Sequence, residues 1–269
     1  MSESSPLEVH VLASGSKGNC TVIKNGNSVI LHDVGISCRR IVNGLKELHI
    51  DMSQIEGIFI SHEHTDHIAG LQQLLKRFDI PVYTKQGTWR EIQDKLIVPK
   101  HQLVELTKGS LELGNLTVEP FGVSHDAADP IGINVYSGKD KATVVTDTGV
   151  ITDDILHRLD DSTLLVLEAN YDPQMLRFGP YQPFLKQRVA SDEGHLSNEM
   201  AAQALLMMKR PDFMQVILAH RSANNNNPVL VTQTIGQMLV DGGVKIGPEM
   251  KLQHGQPNEI VSMQSVHKN

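Results

Sequence analysis

Apolar residues in this chain fall in short runs and alternations more often than at helical spacing. "EVHVLA", "CTVIKNG", "NSVILHDVG" and "EGIFISH" predict strands, separated by the turn sequences "SGSKGN" and "NGN" and by a helix near residues 38–49. After residue 67 the spacing changes. Ile68, Leu71, Leu74, Leu75 and Phe78 recur as one face of a helix, "IPVYTK" reads as a strand, and Thr88 to Leu96 as a short helix. From 103 to 146 strand follows strand: "LVEL", "SLELG", "LTVEPFGVSH", "GINVYSG", "KATVVTD". A helix at about 152–159 leads into the apolar strand "TLLVLEAN".

The next segment, 171–195, is interrupted by Gly179, Pro180 and Pro183 and predicts a lid or an irregular helical stretch. Ser197 is placed to cap a helix over "NEMAAQALLMM". The strand "FMQVILAH", the loop "RSANNNN" and a helix opening at Pro228 follow. With no repeat and no low-complexity linker, the expectation is one α/β domain spanning 1–269, two β-rich sheets with helices outside.

Composition narrows the classes. A hydrophobic fraction of 40% over 269 residues suits a globular core, and no apolar run approaches a membrane span. The opening "MSESSPLEVH" has neither a basic start nor an apolar stretch, so no signal peptide is expected. Cys20 and Cys38 are too few for a disulfide framework, and reduced thiols in a cytoplasmic protein are the simpler expectation. The formal charge of −7 argues against coating nucleic acid by bulk electrostatics. It leaves room for a local basic patch or for positive charge supplied by metal.

The chain also carries 13 histidines, and they concentrate where the chemistry is. Residues 58–70 read "IFISHEHTDHIAG", an apolar run interrupted by three histidines and two carboxylates. His62 and His64 leave a strand end, whereas Asp66 and His67 start from the next helix. That suits two adjacent metal positions better than one, and imidazole with carboxylate favours zinc, manganese or iron over calcium or magnesium. A solvated helix-start loop accounts poorly for three histidines directly after a buried strand. More ligands are needed, and His125 in "FGVSHD", Asp147 in "VVTDTG" and His220 in "VILAHRS" each follow an apolar strand.

These residues together resemble a metallo-β-lactamase-fold hydrolase, whose H-x-H-x-D-H signature is matched by His62, His64, Asp66 and His67. The resemblance implies a four-layer αβ/βα sandwich. It implies that His62, His64 and His125 hold one metal, that Asp66, His67 and His220 hold a second, and that Asp147 bridges them. It places Asp33, in "LHDVG", behind the cluster loop, and makes Asp66 part of the catalytic apparatus as well as a ligand. The flavodiiron branch has a glutamate at the place of His64, which disfavours an oxygen-reducing di-iron centre. Five neutral imidazoles and two carboxylates around two divalent ions leave a site of about +2, attractive to an anionic electrophile such as a phosphodiester.

Three further stretches bear on the substrate. "ASGSKGN" offers Ser14, Ser16 and Asn19 as phosphate donors, with a plain tight turn as the alternative, and Ser222 joins them from the last loop. Glu168 and His195 resemble the glutamate and histidine of the ribonuclease Z branch, there a proton relay to the leaving oxygen, although "HLS" departs from that branch's motif. "GSKGN", "GHLSN" and "AHRSANNNNP" resemble the WalJ/YycJ group of DNA exonucleases, in which a leucine usually stands where this chain has Arg221. The asparagine run 224–227 reads either as an exposed turn or as amide donors to a sugar-phosphate backbone.

The interval from Asp147 to His220 is too short for the β-CASP cap, and that from His125 to Asp147 too short for a long tRNA-gripping arm. Basic residues (Arg39, Arg40, Lys76, Arg77, Arg177, Lys186, Arg188) are scattered. With aromatics at 4%, backbone gripping is expected over base stacking. The first expectation is a dinuclear zinc or manganese phosphodiesterase acting on nucleic acid, DNA before RNA, as a 5′-to-3′ exonuclease. A hydrolase of a cyclic phosphodiester, lactone or thioester, a ribonuclease Z-like RNA processor and a binding module without turnover are the alternatives. No membrane partner is expected, and oligomeric state is left open.

Overall fold

The structure, a computed structural model, describes residues 5–107 and 109–266. The first half builds β1 (Leu7–Ala13), β2 (Cys20–Asn25), β3 (Ser28–His32), β4 (Ile55–Phe59), β5 (Val82–Thr84) and β6 (Leu103–Glu105). The second builds β7 (Leu111–Leu113), β8 (Leu116–Gly122), β9 (Ile131–Ser137), β10 (Asp140–Val145), β11 (Leu164–Glu168), β12 (Met214–Ala219) and β13 (Met250–His254). A last strand, β14 (Val261–Gln264), crosses back to pair with β1. The result is two seven-stranded sheets, ordered β14-β1-β2-β3-β4-β5-β6 and β13-β12-β11-β10-β9-β8-β7.

The two sheets follow one plan. In the first, β14-β1-β2-β3 are antiparallel and β3-β4-β5-β6 parallel. In the second, β7-β8-β9-β10 are antiparallel and β10-β11-β12-β13 parallel. The correspondence reaches the sequence at the hinge strands. β3 runs into "HDVG" and β10 into "TDTG", and Asp33 and Asp147 share a left-handed backbone, with φ of 60° and 57°. Central strands are continuous apolar runs, "LLVLE" in β11 being buried throughout, as a strand covered on both faces requires.

Three apolar clusters define the layers. Val9, Ile30 and Phe59 meet Val118, Ile133, Val144 and Ile217 between the sheets. Outside the first sheet, α1 (Cys38–Glu47), α3 (Leu71–Leu75) and α4 (Gln86–Lys95) pack Ile41, Leu45, Leu71, Leu74 and Ile92. Outside the second, α5 (Asp153–Leu159), α8 (Asn198–Met207) and α9 (Pro228–Asp241) pack Ile155, Leu159, Ala201, Leu205, Val231 and Ile235. This is the helix–sheet–sheet–helix sandwich. Its helix starts carry the expected caps: Ser197 Oγ accepts the Met200 N–H at 3.1 Å and Asn227 Oδ1 that of Leu230 at 3.0 Å.

Three expectations change in detail. The helix after the histidine cluster is two pieces, α2 (Thr65–Ile68) and α3, because Gly70 donates to the Val34 carbonyl at 2.8 Å between them. Segment 171–195 is helical in two short pieces, α6 (Pro173–Phe178) and α7 (Pro183–Val189), broken between Gly179 and Pro183 and packed around a small apolar cluster of Tyr171, Leu176 and Val189. Strands β13 and β14 were not visible in the pattern, since "KLQH" and "VSMQ" are half-exposed edge sequences.

Backbone hydrogen bonds clamp the cluster loop from below. The amide N–H of Asn19 donates to the Asp66 carbonyl at 2.8 Å, Gly35 to Asn19 at 2.8 Å and Val34 to His67 at 2.9 Å. A Cβ on Gly35 would overlap the Asp66 carbonyl. Gly35→Ala should therefore cost about 1–3 kcal/mol in urea unfolding, whereas Gly122→Ala, with open space around it, should stay within roughly 0.5 kcal/mol. Equal stability of the two variants would contradict the clamp.

Candidate metal centre

Six strand ends deliver polar side chains to one edge of the sandwich: β3 to Asp33, β4 to Ser61 and the histidine loop, β8 to His125, β10 to Asp147, β11 to Glu168 and β12 to His220. Asp33, Asp147 and His220 are three of five non-glycine residues with positive φ among the described residues. Asp and His tolerate that conformation better than most side chains, and it costs roughly 1–3 kcal/mol each. The turn it makes swings the side chain off the strand axis toward the gap between the sheets. His64 stands at the N-cap of α2 but makes no side-chain cap bond, which leaves its ring free to face the centre.

The ligand-type atoms converge. His62, His64 and His125 form one group, Asp66, His67 and His220 another, each with donor atoms within 4.8 Å of one another. A third group, His62, His67 and Asp147, links them. His64 Nδ1 and His125 Nε2 lie 3.3 Å apart, and Asp66 Oδ2 lies 3.3 Å from His220 Nε2 and 3.5 Å from His67 Nε2. Asp147 reaches both sides, Oδ2 at 3.3 Å from His67 Nε2 and Oδ1 at 3.8 Å from His125 Nε2.

The outer nitrogens explain why the inner ones are free. His67 Nδ1 meets Asp33 Oδ2 at 2.7 Å, His125 Nδ1 the Gly194 carbonyl at 3.0 Å, His220 Nδ1 Glu168 Oε1 at 2.9 Å and His62 Nδ1 the Ser61 hydroxyl at 2.9 Å. Each of these four rings thereby turns Nε2 inward, the arrangement that orients imidazole toward a metal. Two inward atoms, His62 Nε2 and Asp147 Oδ2, are buried without any hydrogen-bond partner. Buried orphans of this kind are rare and call for a ligand. Nitrogen and oxygen donors in two groups with one shared carboxylate fit two divalent ions of the zinc or manganese type.

The electrostatics point the same way. Burial, reinforced by the rings of His67, His125 and His64, holds His62 well below its ordinary range, and burial beside His125 lowers His64. Burial also opposes charge on His67 and His220, but the carboxylates around them outweigh it and raise both well above their usual value. Asp66 is held far below the carboxylate range, against its burial, by His220 and His67. Asp33 is likewise lowered against its burial by His32 and His67 and by its bonds from His67 and Ser61.

Beside the ligands lies a cavity of about 150 Å³ lined by Ser16, Tyr181, Arg188, His195 and Ser222. His195 is the partly exposed imidazole there, its Nδ1 held at 2.8 Å by Glu168 Oε1. Glu168 groups with Asp147, His195 and His220 as a further set of ligand-type residues. However, Oε1 is taken by His195 and His220, while Oε2 accepts the Thr148 and Leu196 N–H groups at 3.1 and 3.2 Å. A carboxylate with four donors is an orienting hub.

Of the residues expected to touch substrate, Ser16 and Ser222 line the cleft and Ser14 lines the cavity next to it, whereas Asn19 sits behind the ligands. Ser14 Oγ accepts the His220 N–H at 2.7 Å, and the Asn19 amide lies 3.2 Å from His67 Nε2. The asparagine run is mostly internal. Asn226 donates to the Ala169, Asn170 and Asn198 oxygens and Asn227 caps α9, which leaves Asn224 as its exposed amide.

Sequence reasoning passed over Ser61, Asn170 and Glu63. Ser61 bridges Asp33 and His62, Asn170 Nδ2 donates to the His220 carbonyl at 2.7 Å, and Glu63 Oε1 accepts the Ala128 N–H at 2.9 Å. Serine and asparagine are too common in loops for their type to mark them. Only position, next to a ligand or at a strand end, distinguishes them.

Comparison with known proteins adds the following. Residues 30–220 match the beta-lactamase superfamily domain. The chain is 33% identical over 262 residues to exodeoxyribonuclease YycJ of Bacillus anthracis, covering 97% of this chain and 99% of that protein. It is 30% identical to exodeoxyribonuclease WalJ of Streptococcus pneumoniae, covering 95% and 97%. The metallo-beta-lactamase fold protein YhfI from Bacillus subtilis superposes with a TM-score of 0.71 at 15% identity, over 96% of this chain and 100% of that one, a likeness of fold.

Metal uptake should release protons. His67 and His220, raised in the ion-free protein, hold protons at neutral pH that ligation through Nε2 displaces, whereas His62 and His64 are already neutral. Affinity should therefore climb with pH from the ordinary imidazole range upward and level off above the raised values. At about pH 6.5, titration calorimetry in two buffers of different ionisation enthalpy should find net proton release on metal binding. Uptake without proton release would contradict the assignment.

Proposed function

The chain belongs to the metallo-β-lactamase superfamily as a metal-dependent hydrolase, and from that premise we propose that it is a dinuclear phosphodiesterase that degrades DNA from a 5′ end. The observation that carries this reading is the pair of donor groups joined by Asp147, with His195 free to face a bound substrate beside them. Two divalent ions held there supply Lewis acidity and hydroxide at neutral pH. The protein's own part is orientation and proton transfer. Asp33 and Ser61 fix His67 and His62, and Glu168 fixes His220 and His195 through one oxygen.

His195 works on the substrate. Its Nδ1 is committed to Glu168, so Nε2 is the atom that meets the phosphoryl oxygen or the departing hydroxyl. Glu168 remains ionised, against its burial, because His195 and His220 surround it. It therefore holds the His195 ring by Nδ1 at 2.8 Å, aimed for proton transfer to the leaving oxygen. Asp66, beside His220 and His67, would contribute to catalysis as one of the residues that hold an ion.

We read residues 171–195 as a lid of this one domain. Helices α6 and α7 carry Tyr181 and Arg188 to the cleft, and Arg188 pairs with Asp126, next to His125. A roofed site without a cap or long arm favours a strand terminus. The relatives named as exodeoxyribonucleases support DNA as the substrate. Among the described residues no helix is long and apolar enough to cross a membrane, and we place the activity in the cytoplasm.

Metal-loaded protein should shorten linear single-stranded DNA to a ladder that starts at the 5′ end and should leave circular single-stranded DNA intact. Equal loss of circular and linear DNA would sink the exonuclease reading. Faster loss of RNA than DNA would favour RNA processing instead, and hydrolysis of thioesters or lactones but not phosphodiesters a small-molecule hydrolase.

His195→Ala should retain both metals by elemental analysis and lose about 10²–10⁴-fold in rate on DNA. The loss should be smaller on a p-nitrophenyl ester, whose leaving group needs little protonation. Equal losses on both substrates would make His195 an anchor for phosphate, and loss of metal would end the proposal.

A further inference from the structure

A second cavity, of about 640 Å³, adjoins the one at His195 and shares Ser16, Tyr181 and Ser222 with it. The two are therefore parts of one continuous cleft, the second several times the larger. Its lining has one sign of charge. Lys17, Arg40 and Arg221 face it and no carboxylate does, in a chain whose formal charge is −7. None of the three cations belongs to an ion pair among the described residues. Those pairs are made by Lys24, Arg158, Arg188, Lys209 and Lys245, apart from the histidines.

Arg221 is the least satisfied of the three. Its Nη1 is buried and has no hydrogen-bond partner, and burial opposes its charge. A half-buried guanidinium with one donor nitrogen unmet is left short of an anion, and two phosphate oxygens are the partner its planar fork fits. Its place in the chain ties it to the metal centre. His220, with φ of 51°, turns its ring to the ligand group, and the next side chain lines the groove. The loop after β1 closes the other wall. Gly15, Gly18 and Asn19 spend their N–H groups inside the protein, leaving Ser16 and Lys17 exposed at the tip. Arg40 is fixed at the rim by donating to the Pro257 carbonyl at 2.6 Å. The first turn of the 14-residue α9 lends its positive end.

We propose that Arg221, Lys17 and Arg40 form a binding groove for the sugar-phosphate backbone of a single DNA strand, gripping a phosphate beyond the one that is cut. The inference rests on the nucleic-acid reading above and extends it, because it assigns grip and length preference to residues that bind no metal. Backbone phosphate is the chemistry that three unpaired cations without a carboxylate select, and the low aromatic content leaves little for base stacking.

The test uses metal-loaded protein and three variants, Arg221→Leu, Arg221→Lys and Lys17→Ala. Binding of a phosphorothioate oligodeoxynucleotide is followed by fluorescence polarisation at several salt concentrations. Turnover is compared on a single-stranded oligodeoxynucleotide and on thymidine 5′-p-nitrophenyl phosphate, which is too short to span both cavities. Arg221→Leu should raise Kd about tenfold and flatten the log–log salt slope by about 0.7, one single-strand phosphate contact. The ratio of kcat/KM on DNA to that on the ester should fall about tenfold, carried more by KM than by kcat. Arg221→Lys should recover part of the loss, and Lys17→Ala should shift Kd in the same direction by less.

Equal losses on DNA and ester, with Kd and salt slope unmoved, would overturn the groove and leave Arg221 acting only through His220. Should Arg221→Leu fail to fold, an unmoved salt slope in Lys17→Ala, an exposed position, overturns it alone. A wild-type protein that binds the oligonucleotide with this dependence but cuts no DNA would keep the groove and sink the nuclease reading. One that cuts DNA while the variants bind normally does the reverse, and neither binding nor cutting removes both.

Discussion

Five imidazoles and two carboxylates crowd into a buried space where ring centroids approach to 4.1 Å, and the outer nitrogens make that arrangement tolerable. Left alone, such rings would rotate and lose their common aim. Asp33, Ser61, Glu168 and the Gly194 carbonyl prevent this by holding the Nδ1 side of four rings. What remains is a set of inward-facing nitrogens around one carboxylate, with His62 Nε2 and Asp147 Oδ2 left without any hydrogen-bond partner. The rest of the molecule is arranged to keep that set in place. The apolar core between the sheets fixes the strand ends, and the backbone clamp on the cluster loop fixes Asp66 and His67.

The clamp and the bridge are built alike. Asp33 and Asp147 end corresponding strands of the two sheets, both in the left-handed region, and each is followed two residues later by a glycine. A Cβ on Gly35 would meet the backbone of Asp66, and one on Gly149 the backbone at Ser191 and Asp192. In each case the glycine lets a second segment lie directly on the turn. On one side that segment is the ligand loop. On the other it is the approach to His195. One local device thus positions both the ligand loop and the approach to His195, and the strain of each aspartate turn is offset by the close packing that its neighbouring glycine permits.

Charge is segregated on the same principle. Carboxylates outnumber cations overall, yet those nearest the centre are bound to histidines, and the cations along the larger cavity are left without anions. A negatively charged protein thus still presents positive charge locally, along this cavity. Sequence-wide charge spoke against coating nucleic acid by bulk electrostatics. It had no bearing on a groove whose lining is drawn from residues 14–18, 40 and 221–228 together.

That separation marks what the chain by itself could tell. Short apolar runs, cap residues and glycine-rich turns were enough for the sandwich, because strand and helix formation depends on neighbours a few residues apart. The density of "HEHTDH", with His125, Asp147 and His220 each following an apolar strand, was enough to single out residues that the structure brings together as ligand-type groups, because so many titratable side chains beside buried strands stand out in the chain itself. The edge strands β13 and β14, the break at Gly70 and the roles of Ser61 and Asn170 were not legible. The same holds for the inward use of three asparagines and for the unpaired state of Arg221. Each depends on what a distant segment presents across the fold: a carbonyl at Val34, a ring at His62, a missing carboxylate opposite a guanidinium. Hydrogen-bond partners and charge neighbours belong to the three-dimensional arrangement, and only the tertiary structure could decide them.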